Sequence, residues 1–134
     1  MEAVFKFASK RMAKDFHGLG AKDIYDKLLA REQSSSTALK PFFALPHIVT
    51  DGKNEFDMLI VRSRKGIAFS EKAPEVHSLF FLAGSMDQRH FHLVVLSTLA
   101  LIVNHPSFEE SWMEEKSPED LRELLQRIKE LTGK

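Results

Sequence analysis

Cysteine is absent from this chain of 134 residues, which excludes a disulfide framework, a thiolate nucleophile and a cysteine metal site. Net charge is absent too, since 19 basic residues balance 19 acidic ones, so no overall field favours nucleic acid or an anionic membrane. The longest apolar run, Leu93 to Val103, is shorter than the roughly 20 residues that cross a bilayer. Residues 1–16 carry charges throughout and lack a signal-peptide core. These absences predict a cytoplasmic protein that binds no nucleic acid and does not insert into a membrane.

Several catalytic and nucleotide-binding motifs are missing as well. The chain has neither a G-x-x-x-x-G-K phosphate loop nor a G-x-G-x-x-G loop, so nucleotide binding has no support. It also lacks a G-x-S-x-G elbow and an H-E-x-x-H helix, which argues against a hydrolase or a zinc protease. At 43% hydrophobic and 28% charged residues, the composition is that of a soluble globular protein.

The apolar pattern predicts an α/β fold. Helical spacing favours a first helix over residues 4–16, a second over 21–32 and a long apolar one over 88–103. Extended or strand segments are predicted at 42–46, 56–62, 67–69 after a turn at Lys65-Gly66, and 78–83, with further helices at 107–112 and from Ser117 onward. Without a repeat or a shift in composition, we expect a single domain over 1–134, with a mixed β-sheet sandwiched between helices on both faces.

Six histidines remain as the main candidates for chemistry: His17, His47, His77, His90, His92 and His105. His90 and His92 suggest a metal site, but two helical residues two positions apart differ by about 200° around the axis, which argues against a shared metal. His92 lies at the start of the predicted long helix, on its Leu96 and Leu99 face, where by pattern alone it closes off the core. His47 follows Pro46, whose fixed backbone would present the imidazole from a stiff support.

Arg31 ends the predicted second helix, just before the hydroxyl-rich segment Ser34-Ser35-Ser36-Thr37. Its ordinary role there would be a cation at a helix C-terminus. A guanidinium can equally direct its donors at a phosphoryl group, and the pattern alone leaves both roles open.

Taken together, these segments resemble the fructose/mannitol-type (type 2) IIA domain of the bacterial phosphoenolpyruvate:sugar phosphotransferase system (PTS), a family that includes nitrogen-regulatory IIA proteins. Arg31-Glu32 leading to Thr37 is similar to the family's R-E-x-x-x-x-T segment, and Ala44-Leu45-Pro46-His47 to its A-[IL]-P-H signature. Gly66-Ile67-Ala68-Phe69 and the helix opened by His92 also match, so the resemblance covers essentially the whole chain.

The resemblance implies a phosphoryl carrier with a phosphohistidine intermediate. His47 would accept a phosphoryl group from an HPr-like phosphocarrier and pass it to a IIB domain during sugar uptake. His92 and Arg31 would complete the catalytic site by stabilising the phosphoryl group, and Thr37 would add a hydroxyl donor. No nucleotide, metal or other cofactor is implied.

The resemblance also leaves two other functions open. The family usually has glycines before the signature and often one after the histidine, whereas this chain has Phe42-Phe43 and Ile48. We interpret these residues as an apolar rim with an altered docking surface, which would suit a regulatory module that binds a transporter or a regulator. An inert IIA-like domain that stabilises an assembly is the third possibility.

Overall fold

One buried strand is the centre of the sheet. The computed structural model describes residues 1–14, 16, 19–40, 42–69 and 73–104. Within these residues the elements are α1 (Glu2–Ala13), α2 (Ala21–Ser34), β1 (Ala38–Lys40), β2 (Phe43–Ala44), β3 (His47–Thr50), β4 (Phe56–Ile67), β5 (Val76–Ser85), a short 3-10 helix (Met86–Gln88) and α3 (Arg89–Val103). Every residue of β5 except His77 is buried, as expected for a strand with neighbours on both edges.

The sheet is mixed, with two short strands sharing one edge of β5. β2 and β3 pair with β5 in parallel, and β4 pairs with it antiparallel along most of its length. The N–H of Ser78 donates to the carbonyl of Phe42, and the N–H of Leu82, four residues on, donates to that of Pro46. N–H groups an even number of residues apart point to the same edge of a strand, so β2 and β3 lie end to end along one edge and β4 lies on the other.

Helices α1 and α2 cover one face of this sheet. Their apolar stripes join inward-facing strand residues in a single buried cluster that includes Phe5, Ile24, Ile48 and Phe81. The rings of Phe5 and Phe81 meet edge to face with their centroids 5.6 Å apart. Because side chains alternate along a strand, His47 projects from the opposite face to its neighbour Ile48.

The structure confirms the predicted α/β class and mixed sheet. Several element boundaries differ from those that the sequence predicted. α2 continues to Ser34, and β1 and β3 were not predicted. The predicted turn at Lys65-Gly66 is wrong, because β4 runs on through Ile67, with Gly66 at φ 85° where its register on β5 shifts. The helices predicted at 107–112 and from Ser117 onward lie outside the described residues.

Two compact units make up the chain, Met1–His92 and Leu93–Lys134. His47, His92, Arg31 and Thr37 all belong to the first unit. The single domain over 1–134 therefore stays a prediction. In the part of the chain that the structure describes, no helix is long and apolar enough to cross a membrane.

Candidate active site

His47 is the first residue of β3, and Pro46 explains why a new strand begins there. β2 and β3 keep one register on β5, since Phe43 lies opposite Ser78 and His47, four residues on, lies opposite Leu82. Proline has no N–H to donate, so the ladder is interrupted at Pro46. The Pro46 carbonyl still accepts the Leu82 N–H at 2.9 Å, which ties the backbone to the central strand directly before the histidine.

The ring of His47 is oriented by a main-chain carbonyl. Its Nδ1 lies 2.8 Å from the carbonyl oxygen of Leu45. A carbonyl oxygen can only accept a hydrogen bond, so Nδ1 carries the proton. In the neutral ring the Nε2 atom then keeps its lone pair and is the nucleophilic nitrogen.

His92 lies next to His47 and is buried. It comes from the first turn of α3 and is only 5% exposed. The two imidazoles meet edge to face with ring centroids 5.9 Å apart, and the ring of Phe56 contacts His92 at the same centroid distance. The structure therefore brings together the two histidines that the sequence singled out, whereas His90 is exposed.

Gly84 makes the close approach of His92 possible. A Cβ atom at Gly84 would lie 3.1 Å from Nδ1 of His92 and 3.1 Å from Cδ2 of Phe56, closer than ordinary van der Waals contact. The predicted strand over 78–83 ends directly before this glycine, and no role was predicted for it. A glycine in an otherwise apolar strand often marks the close approach of another group, and this pattern could have indicated the role of Gly84.

Both histidines are held in the neutral form. Burial is the main cause that lowers the pKa of His47 below its ordinary 6.5; the nearby Arg31 charge lowers it further, while the hydrogen bond to Leu45 and the Glu32 charge raise it. Burial also lowers the pKa of His92, with His47 as the second cause. At pH 7 each ring is therefore predominantly uncharged.

Arg31 lies in the last turn of α2 with its charge near His47. Its Nη1 donates to the carbonyl oxygen of Ser35 at 2.9 Å and to the Ser35 hydroxyl oxygen at 3.1 Å. One nitrogen thus caps the helix end, as the ordinary role predicts. A guanidinium has five N–H donors, so the same side chain can also serve a phosphoryl group.

Thr37 is buried and bound to Glu32, a residue that the sequence analysis quoted only as part of a motif. The Thr37 N–H donates to Oε2 of Glu32 at 3.0 Å, and the Thr37 hydroxyl donates to Oε1 of the same carboxylate. The hydroxyl proton that the resemblance assigned to a phosphoryl group is therefore engaged by Glu32 in this structure. The phosphoryl-binding role of Thr37 stays a prediction.

The apolar rim predicted around His47 is wrong for two of its three residues. Phe43 is fully buried and packs against Phe80, with ring centroids 5.0 Å apart. Ile48 is 5% exposed and belongs to the core under α1 and α2. Apolar side chains that are close in sequence to the two histidines and exposed include Val49 and Phe91 instead. Among the described residues, no group of three or more histidine, aspartate or glutamate side chains could hold a metal ion.

Fold and site together define an α/β domain with a pair of neutral imidazoles at the end of a parallel strand. The sequence matches the family described as "Phosphoenolpyruvate-dependent sugar phosphotransferase system, EIIA 2" over residues 1–128. The chain belongs to this family, which confirms the resemblance.

Individual relatives agree with this assignment. The mannitol-specific phosphotransferase enzyme IIA component of Bacillus subtilis is 27% identical over 130 residues, covering 95% of this chain and 87% of the relative. The nitrogen regulatory protein IIA-Ntr of Neisseria meningitidis has a TM-score of 0.84 at 29% identity, covering 92% of this chain and 85% of the other. Escherichia coli IIA mannitol, solved in complex with phosphorylated enzyme IIB mannitol, has a TM-score of 0.75 at 19% identity, covering 94% and 87%. The last likeness supports the fold alone.

Proposed function

We propose that His47 is a phosphoryl carrier that accepts a phosphoryl group on Nε2 from an HPr-like phosphohistidine donor and passes it to a IIB domain in sugar uptake. One observation supports this most directly: Nδ1 of His47 is fixed 2.8 Å from the Leu45 carbonyl, which leaves the Nε2 lone pair for the reaction. Membership of the EIIA 2 family supports the same function.

The transfer balances without a metal or a nucleotide. The Nε2 lone pair of His47 forms the new N–P bond while the donor's N–P bond breaks and its electron pair returns to the donor imidazole. His47 keeps its Nδ1 proton, so the phosphorylated ring is cationic and its Nδ1–H stays on the Leu45 carbonyl. In the second transfer, a nucleophile of the IIB domain attacks phosphorus and the N–P electrons return to Nε2.

The remaining site residues would stabilise the phosphoryl oxygens. A neutral His92 offers one ring N–H donor. The absence of a side chain at Gly84 lets this ring pack close to the central strand. Arg31 adds a cation close enough to act on His47, and unlike lysine it can present two parallel donors. Thr37 would join them by turning its hydroxyl from Glu32 to a phosphoryl oxygen, while its N–H stays on the Glu32 carboxylate. The rate would then come from orientation and charge stabilisation.

The test is phosphorylation by enzyme I, an HPr-like carrier and phosphoenolpyruvate, followed by intact mass. We expect wild type to gain the mass of one phosphate, His47→Ala to gain none, and His92→Ala to be labelled more slowly. His90→Ala is the matched control, because His90 lies on the same helix turn but is exposed. A folded wild type that stays unlabelled with a carrier from its own genome, or a His47→Ala variant that is labelled normally, would contradict the proposal.

A regulatory function is the second candidate, and the likeness to the Neisseria meningitidis nitrogen regulatory protein favours it. The same phosphohistidine would then report the phosphorylation state to a transporter or a regulator without onward transfer. The burial of Phe43 and Ile48 removes the argument for this function that the sequence offered. Mixing the phosphorylated protein with IIB domains of its own genome distinguishes the two: loss of the label to a IIB domain supports transport, and retention on His47 supports regulation.

A further inference from the structure

We propose that Glu32 is a positioning residue for His47, acting through a chain of three hydrogen-bonded links: Glu32 to Thr37, Thr37 to Leu45, and Leu45 to the imidazole. The consequence for phosphoryl transfer rests on the proposed function, whereas the effect on the ring itself does not. Glu32 would hold the reactive histidine without contacting the transferred group.

The first link is a carboxylate that binds one residue twice. Glu32 lies in the last turn of α2 and accepts from both the N–H and the hydroxyl of Thr37. Thr37 is only 4% exposed, whereas all four residues between Glu32 and Thr37 are exposed. Hydrogen bonds to an ionised acceptor are roughly twice as strong as neutral ones. Glu32 therefore fixes the position of Thr37, the first buried residue after α2.

The second and third links are made by the main chain. The carbonyl of Thr37 accepts the Leu45 N–H at 2.9 Å, and the carbonyl of Leu45 accepts from Nδ1 of His47 at 2.8 Å. Leu45 is 4% exposed, and the ring of Pro46 fixes its own φ between Leu45 and His47. A displacement of Thr37 would therefore move the acceptor that selects the tautomer of His47.

The electrostatic effect of Glu32 is separate from this mechanical one. Its negative charge raises the pKa of His47, while burial, the largest cause, and Arg31 lower it. A variant that keeps the charge but shortens the side chain tests the mechanical link. A variant that keeps the length but removes the charge also replaces one of the two acceptor oxygens, so it should weaken the mechanical link less than shortening does.

The experiment compares Glu32→Asp and Glu32→Gln with wild type and with the control Asp26→Asn, an exposed acid of the same helix that is paired with Lys22. The primary readout is the 15N spectrum of the unphosphorylated full chain, which distinguishes Nδ1–H from Nε2–H imidazole. The second is hydrogen exchange of the Leu45 amide. Neither depends on phosphoryl transfer, so they test the positioning role even if wild type cannot be phosphorylated.

We expect wild type and Asp26→Asn to show only the Nδ1–H tautomer at His47. Glu32→Asp should show a mixture of tautomers and faster Leu45 exchange, because the shorter carboxylate cannot reach both Thr37 donors. Glu32→Gln should lie between, since its amide offers one acceptor oxygen in place of the two carboxylate oxygens that bind Thr37. If phosphorylation is measured as well, Glu32→Asp should be slower by about tenfold or more, as expected for a misoriented nucleophile.

An unchanged tautomer and unchanged Leu45 exchange in Glu32→Asp would overturn the proposal. If Glu32→Asp does not fold, Glu32→Gln decides: Leu45 exchange faster than in Asp26→Asn supports the proposal, and equal exchange overturns it. Normal ring signals in a wild type that takes no phosphoryl group would instead contradict only the proposed function.

Discussion

At the scale of single residues, the central feature of the site is that a main-chain carbonyl fixes which ring nitrogen of His47 carries the proton and which keeps its lone pair. The acceptor is the carbonyl of Leu45, so no side-chain substitution removes it directly. Pro46 follows it and restricts the backbone of both neighbours. The Leu-Pro-His segment thus encodes a defined tautomer of the histidine that we propose as the nucleophile.

This tautomer leads to a prediction about pH. Phosphorylation at Nε2 requires the neutral ring. Burial is the main cause that holds the pKa of His47 below 6.5; the hydrogen bond to Leu45 opposes this effect and the Arg31 charge reinforces it. The fraction of neutral ring rises with pH through that lowered pKa. We therefore expect the initial rate with a small donor such as phosphoramidate to rise with pH and to be half-maximal below the ordinary histidine value of 6.5. A half-maximal rate above that value would contradict the assignment.

Gly84 leads to a second prediction at this scale. Glycine-to-alanine substitution there adds a methyl group 3.1 Å from the imidazole of His92 and from Phe56. We expect Gly84→Ala to displace the His92 ring, slow phosphorylation and lower the free energy of unfolding by about 1–3 kcal/mol, as overpacking does. The measurements are the His92 NMR signals, the labelling rate and chemical denaturation.

Gly20→Ala is the matched control for that substitution. At Gly20 the nearest atom to an added Cβ is Oδ2 of Asp23 at 3.6 Å, an ordinary contact. The control should leave the His92 signals and the labelling rate unchanged. Equal effects of the two substitutions would show that the space at Gly84 is not specific to His92.

At the scale of elements, a polar network holds the start of α3 and therefore His92. Asp87, in the short 3-10 helix before α3, accepts from the Asn54 N–H at 2.9 Å and from the Ser85 hydroxyl. The Glu55 N–H in turn donates to the Ser85 hydroxyl at 3.0 Å. The loop that follows β3 is thus joined to the segment that leads into α3.

We predict that Asp87→Ala loosens this junction. The Ser85 hydroxyl and then the Asn54 N–H lower the pKa of Asp87, so the ionised form is the one favoured by folding. Its contribution to stability is present above the unfolded pKa and is lost as pH falls through the lowered one. At pH 7 we expect faster hydrogen exchange at Asn54 and in the first turn of α3, and slower phosphorylation. Asp51→Ala, an exposed acid in the same loop, is the control and should change neither.

The elements also show what the sequence could and could not predict. Long periodic segments such as α1 and the buried strand β5 were predicted from their apolar spacing, because burial imposes that spacing. The short strand β3 was not predicted, and the error about Ile48 follows from it. In a strand, adjacent side chains point to opposite faces, so Ile48 next to His47 faces the core and cannot belong to a docking surface around His47.

The site itself was only partly predictable. His47 and His92 are far apart in the chain and were joined by resemblance, since spacing alone left His92 as a core residue. The contact between Glu32 and Thr37 depends on the backbone conformation after α2, which the apolar pattern of the sequence does not describe. The role of Gly84 likewise depends on a ring supplied by another element.

At the scale of the whole molecule, a phosphoryl carrier has to bind a donor protein and an acceptor protein through the surface around His47. Val49 lies two residues after His47 on the same face of β3 and is 47% exposed. Phe91 precedes His92 and is 50% exposed. Neutral apolar side chains beside a reactive residue are common in protein interfaces, and aromatic ones are enriched there.

We therefore predict that Val49→Lys separates docking from chemistry. A buried charge in the interface should raise the KM for the HPr-like donor about tenfold or more with little change in kcat, the pattern of lost uniform binding. Labelling by phosphoramidate, which needs no docking surface, should proceed at the wild-type rate. Phe7→Lys is the matched control, because Phe7 is equally exposed but lies on α1, whose buried residues pack on the other face of the sheet. Equal loss with the protein donor and with phosphoramidate would show that Val49 supports the structure of the site itself, and normal KM values would place the docking surface elsewhere on the molecule.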